Sequence, residues 1–357
     1  MHFQRLLITG GAGFVGANLA LAFREHFPSL TVTCVDNLSR RGSELNVPRL
    51  QERGVAFYHG DVRCAEDVAG WPAFDLLIDC SAQPSVLAGL AGSPLPVISN
   101  NLAGTIHCAE AARRHGAALL FLSTSRVYPI ETINRLPFEE TPTRYCWTES
   151  PVIPGFCATH GIAEDFPLTG PRSFYGATKL ASELLLQEYA YSYNLPVLVN
   201  RCGVLAGPWQ MGKVDQGVFT FWVARHVLGL PLRYTGFGGA GKQVRDLLHV
   251  EDLFALLVRQ LGQTERWTGA IYNVGGGMSV STSLAELTDV CREAVETTVP
   301  IAAQPETNAV DVRIYVTDAR RAMADFGWKP RRNVPAIIED IHRWLLANLA
   351  ALQPLFQ

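Results

Sequence analysis

Lysine is scarce in this chain: it occurs four times in 357 residues, at 179, 213, 242 and 329, although lysine and arginine together number 30. With 33 acidic residues the net charge is −3, and no long basic run occurs. Nucleic acid and anionic membrane are therefore not expected as partners, because both need a concentrated positive field. An anionic small molecule held by a few placed arginines stays open. The eight cysteines (34, 64, 80, 108, 146, 157, 202 and 291) are scattered and include no Cys-x-x-Cys pair. Neither a zinc site nor a disulfide framework is expected, and no metal is assigned. No apolar run reaches membrane-spanning length. The first strand begins within three residues of Met1, which leaves no room for a charged leader with an apolar core. A cytoplasmic location is the expectation. Internal repeats and low-complexity tracts are absent, and 48% hydrophobic residues over this length can bury the core of a nucleotide domain with one further lobe.

What is present begins at the N-terminus. Phe3 to Ile8 forms a short apolar strand that runs into Thr9-Gly10-Gly11-Ala12-Gly13-Phe14-Val15-Gly16. Gly10, Gly13 and Gly16 suit a tight turn and close approach of backbone to a pyrophosphate at a helix N-terminus. An amphipathic stretch, Ala17 to Phe27, follows, and then a second strand, Thr31 to Val35, ending in Asp36. Asp36 stands 20 residues after Gly16, where a carboxylate that binds an adenosine ribose is expected. A carboxylate there repels a 2′-phosphate, so NAD is favoured over NADP. Arg40 and Arg41 close behind can pair with such a phosphate and keep NADP as the alternative.

Strand-like and helix-like segments then alternate: Val55 to His59, Leu76 to Cys80, the helix Gly104 to His115, Ala118 to Ser123, the helix Tyr175 to Tyr193, and the strand Val197 to Asn200. This alternation predicts an α/β fold, a Rossmann-type doubly wound parallel sheet with a smaller α/β substrate lobe. After residue 203, turns at Gly207-Pro208, Gly229 to Pro231 and Gly236 to Gly241 open the second lobe. Val244 to His249 and Ala270 to Val274 are expected to return to the first. The nucleotide domain is thus residues 1–203 plus about 243–275, and the substrate lobe 204–242 and 276–357.

Tyr175 and Lys179, in Ser-Phe-Tyr-Gly-Ala-Thr-Lys, are spaced to share one helical face. A phenol is a poor base near neutrality, but a neighbouring cation favours the phenolate. In a chain with so few lysines, a chance pairing of this kind is rare. Thr124, at the carboxyl end of a parallel strand in Leu-Ser-Thr-Ser-Arg-Val-Tyr, is placed where open α/β sheets bind ligands and can orient a reacting oxygen.

Together these motifs resemble the extended short-chain dehydrogenase/reductase family of nucleotide-sugar enzymes, across nearly the whole chain. The resemblance implies a catalytic set of Thr124, Tyr175 and Lys179, with Lys179 also holding the nicotinamide ribose. It implies cofactor contacts from Phe14 and Val15 in the glycine turn, from Asn37, Ser39 and Arg40 after the second strand, and from Asp61 and Val62 at the adenine. Ser81, Ala82 and Gln83 in the loop after the fourth strand, Asn101 before the interface helix, and Ser123 complete that set. For the substrate it implies Gln83, Thr124, Ser125, Arg126, Gln216 and Gln243. Arg245, in an Arg-Asp-x-x-His-Val element, and Arg313 after Asp311 resemble the family's two phosphate-binding arginines, which suits a nucleotide-diphosphate sugar. A homo-oligomer through helices 104–115 and 175–193 is expected.

Dehydratases of this family carry Asp-Glu after the catalytic Thr, and related decarboxylases a Glu; here Ser125-Arg126 follow. Elimination is then disfavoured, and oxidation followed by re-reduction is favoured. Thr124 and Tyr175 are 51 residues apart, with a polar, Pro-rich insertion from about Asn134 to Pro171. Thr143-Arg144-Tyr145, Glu164 to Leu168, Asp215-Gln216-Gly217 and Gly241 to Asp246 resemble the CDP-paratose 2-epimerases, also called CDP-tyvelose epimerases. In the implied mechanism a tightly bound, recycled NAD accepts hydride from a ring carbon while Tyr175 removes the hydroxyl proton. The keto sugar shifts, and the hydride returns to its other face. Cys202 is read as buried packing on its strand. A 4-epimerase, a net dehydrogenase or reductase, and a non-catalytic NAD-binding protein are the alternatives.

Overall fold

The computed structural model describes residues 3–149, 153–213 and 216–356. Seven parallel strands form the main sheet: β1 (Arg5–Thr9), β2 (Thr31–Asp36), β3 (Ala56–His59), β4 (Leu76–Asp79), β5 (Ala118–Thr124), β6 (Val197–Cys202) and β7 (Thr268–Val274). Their spatial order is β7-β6-β5-β4-β1-β2-β3. The central strands are buried along their length because helices cover both faces, which is why they read as continuous apolar runs. Alternation still sorts the two cores. Leu6 and Ile8 pack with Phe23 and Leu257 on one face, while Leu7 packs with Phe121 and Leu186 on the other.

The strand order reverses between β1 and β4, so the carboxyl ends of the first, fourth and fifth strands open on one crevice. From β1 the chain turns into helix α1 (Phe14–His26). Gly10 has φ +62, and a Cβ there would stand 2.7 Å from the Cys80 carbonyl oxygen, so this turn admits glycine alone. Helix α2 (Gly104–His115) leads to β5, and α3 (Phe174–Tyr193) precedes β6. Ser173 caps α3 by accepting from the Gly176 amide.

The lobe boundary differs from the sequence expectation. Val244–His249 lies outside the main sheet: it pairs with Val204–Ala206, Ser281–Ser283 and Ile314–Tyr315 in a second, four-stranded sheet. A short strand buried on both faces, in which Arg245, Asp246 and His249 break any apolar alternation, does not disclose which sheet will take it. Helix α4 (Val218–Val227) packs with Trp344 and Ile337 in the core beside that sheet. Helix α5 (Val250–Leu261) returns to pack on α1, and β7 joins the main sheet as expected. Ala319, Ala322, Phe326 and Trp328, assigned by sequence to the second lobe, also lie in the first core. The insertion after Thr124 is packed rather than loose, with Tyr145, Trp147 and Phe166 closing on Ile314 and Val316. Among the described residues no helix is long and apolar enough to cross a membrane.

Candidate active site

A cleft of about 210 Å³ is walled by the glycine turn with Phe14 and Val15, by Asp36, Asn37, Ser39 and Arg40, by Val62, and by Ser81 and Ala82. Its chemistry fits a dinucleotide. The turn offers backbone amides at a helix N-terminus, and the Asp36 carboxylate is held in the wall by the amides of Ala12 (3.1 Å) and Leu38 (2.8 Å). Burial raises the Asp36 pKa, and those amides pull it back. Arg40 bonds to the Gln216 side chain and the Met211 carbonyl, and Arg41 to the Pro354 carbonyl. Both guanidinium groups, the sequence's argument for NADP, are engaged by the second lobe.

Behind this cleft lies a layer that the sequence reading missed. Asp79, ending an otherwise apolar β4, is fully buried and accepts from Thr9 Oγ1 (2.7 Å), the amide and hydroxyl of Ser81 (3.0 and 2.6 Å), and Thr105 Oγ1 (3.2 Å). Its charge opposes the burial that lowers the Lys179 pKa. Glu183 pairs with Arg201 at 2.7 Å, both buried, and accepts from the Ser123 hydroxyl. Arg201 reaches on to the Tyr128 hydroxyl at 3.1 Å, which donates to Asn273 at 2.8 Å. The pair therefore ties β5, β6, β7 and α3 together. A carboxylate on the inward face of α3, eight residues after Tyr175, was the available signal, because such a group is buried only when paired.

Tyr175 and Thr124 are brought together as predicted. Both are buried, and the Thr124 hydroxyl lies close enough to Tyr175 to favour its phenolate. A Cβ on Gly176 would stand 2.0 Å from the Arg126 carbonyl oxygen, so only glycine lets the start of α3 sit flush on the turn after β5. The electrostatics differ from expectation. Burial raises the Tyr175 pKa, and what opposes it is the Thr124 hydrogen bond and the charge of Arg126. The Lys179 ammonium lies 4.2 Å from the Phe121 ring centroid; burial lowers its pKa, and the charge of Asp79 opposes that. Cys202 is buried with its thiol pushed up to about 12, first by burial, in keeping with a packing role.

The larger cleft, about 1020 Å³, is walled by Arg126, Gln216, Thr235, Gln243 and Arg245 among others. Gln243 donates to the Thr235 carbonyl at 2.6 Å and leaves its buried Oε1 without a partner. Gln216 lies on both clefts; Asp215 beside it falls outside the described residues.

Several predicted contacts sit elsewhere. Arg313 lies 4.0 Å from the Phe138 ring and 5.1 Å from that of Phe237 and is not among the residues walling either cleft. Asp61 is paired with Arg63 at 2.6 Å and lines neither cleft. Asn101 is fully buried and clamps the Gln83 backbone (2.7 and 3.2 Å), so it positions that loop; the Gln83 side chain is exposed. Ser123 faces Glu183, and Ser125 is buried. The insertion motifs hold structure too: Arg144 bonds Ser281 (2.7 Å), and Glu164 accepts from the Asn273 amide (2.8 Å).

Comparison with known proteins agrees with this framework. The family described as "NAD dependent epimerase/dehydratase family" matches residues 6–275. The chain is similar to a CDP-paratose 2-epimerase of Salmonella typhi, 29% identical over 96% of this chain and 99% of that protein. It is also 29% identical to a dTDP-glucose 4,6-dehydratase of Mycolicibacterium smegmatis, over 99% and 96% of the two chains. Among solved structures, the UDP-glucose 4-epimerase of Thermus thermophilus in complex with NAD superposes with a TM-score of 0.76 at 27% identity, over 96% and 99% of the two chains. Because the matched span takes in the glycine turn, the Thr124 strand end and the Tyr-Lys helix alike, the chain belongs to the NAD dependent epimerase/dehydratase family, a family of NAD-dependent enzymes acting on nucleotide sugars.

Proposed function

We propose that the protein inverts one ring carbon of a nucleotide-diphosphate sugar by oxidation to a keto sugar and re-reduction on the opposite face, and that the reaction is CDP-paratose to CDP-tyvelose, at C2. The observation that carries the reading is the neighbourhood of the Thr124–Tyr175 hydroxyl pair, where the next two residues are Ser125 and Arg126. Eliminating water needs an acid and a base beside the sugar, and these positions supply neither. The likeness to the Salmonella 2-epimerase over nearly the full length supports the choice of substrate.

In this reading Tyr175 takes the hydroxyl proton and gives it back, while Thr124 holds the reacting oxygen in line. Bound NAD would supply the hydride acceptor and return the same hydride. The glycine turn, Asp36, Ser81 and Lys179 would hold the cofactor, and the larger cleft the nucleotide. Incubation in heavy water tests the route: the epimer should carry no deuterium at the inverted carbon, and substrate deuterated there should keep its label. Solvent deuterium in the product would overturn the reading. Inversion at C4 is the second reading, favoured by the fold shared with the Thermus 4-epimerase; offering CDP-paratose and UDP-glucose side by side separates the two.

A homo-oligomer through α2 and α3 belongs to the same reading. On α3 the side chains of Leu184 (58% exposed) and Tyr191 (86%) face solvent in the single chain. Sedimentation of wild type against Leu184→Glu tests it, the variant being expected to run as a smaller species.

A further inference from the structure

Arg126 runs between the catalytic hydroxyls and the larger cleft. At one end its amide donates to Thr124 Oγ1 at 3.2 Å, and its carbonyl lies against the first turn of α3. At the other end its guanidinium meets the Val310 carbonyl at 3.5 Å. Arg245 binds the same segment, donating to the Val312 carbonyl (2.7 Å) and to the Asp311 carboxylate (2.8 Å). Two guanidinium groups are thereby seated side by side on residues 310–312. Asp311 is the single carboxylate among the described residues lining this cleft, against Arg126, Lys213, Arg225, Arg233 and Arg245. The wall is set for an anion. A guanidinium has five N–H donors, and the one bond from Arg126 to Val310 is at the weak limit of length, so most of its capacity faces the cleft.

We propose that Arg126 selects the ring carbon: with Arg245 it holds the phosphate bonded to the sugar, so that C2 faces Thr124 and Tyr175 while C4 is turned away. Within a pyranose, C2 is bonded to the carbon that carries the phosphate, whereas C4 lies across the ring. A phosphate gripped one arginine's reach from Thr124 therefore presents C2. The inference rests on the nucleotide-sugar reading above. It also assigns a use to the arginine that stands where an eliminating enzyme carries an acid.

Binding of CDP and CMP, measured by calorimetry on wild type, Arg126→Gln and Arg126→Lys, isolates the sugar-side phosphate, which CMP lacks; UDP and UMP are run in parallel. Arg126→Gln should weaken the diphosphate about 10- to 100-fold, the worth of one charge-assisted hydrogen-bond pair. Binding of the monophosphate should change less than about twofold, NAD content should be unaltered, and Arg126→Lys should recover part of the loss. Given a nucleotide hexose with hydroxyls at both C2 and C4, wild type should yield the C2 epimer and Arg126→Gln a mixture. Equal loss of both nucleotides, undiminished diphosphate binding, or unchanged C2 selectivity in Arg126→Gln would overturn the inference and leave the epimerase reading standing. A wild type that binds neither diphosphate would remove both, and one that inverts C4 would remove the inference together with the C2 assignment.

Discussion

The wall of the site that faces the cofactor and the wall that faces the larger cleft are built in opposite ways. On the cofactor side the buried carboxylates and amide have their partners within the protein: Asp79 is fully hydrogen-bonded, Asn101 bridges the Gln83 loop to Thr178, and Glu183 is locked to Arg201. On the far side Arg233 lines the cleft exposed, Gln243 keeps a buried acceptor unpaired, and Arg126 holds one long bond. Hydride and proton transfer tolerate little misplacement, so the groups that set their geometry are fixed before any ligand arrives. Groups that recognise a ligand are left with donors and acceptors for it to satisfy.

The largest break in that contrast should come from Glu183→Gln. The substitution keeps volume but leaves the buried Arg201 charge without a counterion, and urea denaturation should show a loss of about 3–5 kcal/mol. A loss below about 1 kcal/mol would mean that the cofactor wall is not held by this pair. Tyr175→Phe comes next. It removes one hydroxyl without a cavity, so melting temperature and bound NAD should match wild type while turnover falls at least roughly 100-fold. Near-normal turnover would remove the tyrosine from the mechanism. The smallest overall effect is expected from Arg233→Ala, whose stability should stay within about 0.5 kcal/mol of wild type because the side chain is exposed. Its expected signature is a raised KM for the nucleotide sugar at unchanged kcat. A stability loss comparable to that of Glu183→Gln would erase the distinction between the two walls.

Much of the cofactor wall was legible in the chain because it is local. The glycine turn, the carboxylate ending β2 and the Tyr-Lys spacing each lie within one strand-turn-helix unit, where backbone geometry dictates residue type. Asp79 and Glu183 escaped notice because a carboxylate at a strand end or on a helix face reads as solvated until the partners, Thr9 and Thr105 or Arg201, are brought to it from elsewhere. Arg313 shows the converse. Its spacing after Asp311 suited a phosphate ligand, and only packing showed that Phe138, Tyr145 and Phe237 enclose it.

By itself the sequence determined the α/β alternation, the parallel sheet and the spacing of Tyr175 and Lys179 on one helix, since apolar runs, glycine positions and helical spacing act over short stretches of chain. Tertiary structure alone decided that Val244–His249 joins the second sheet, that Lys179 answers to Asp79 while Arg126 acts on Tyr175, and that Arg126 and Arg245 meet on one segment. Each of those depends on groups far apart in the chain, and the strength of a charge or hydrogen bond is set by the burial and distance that only the folded chain provides.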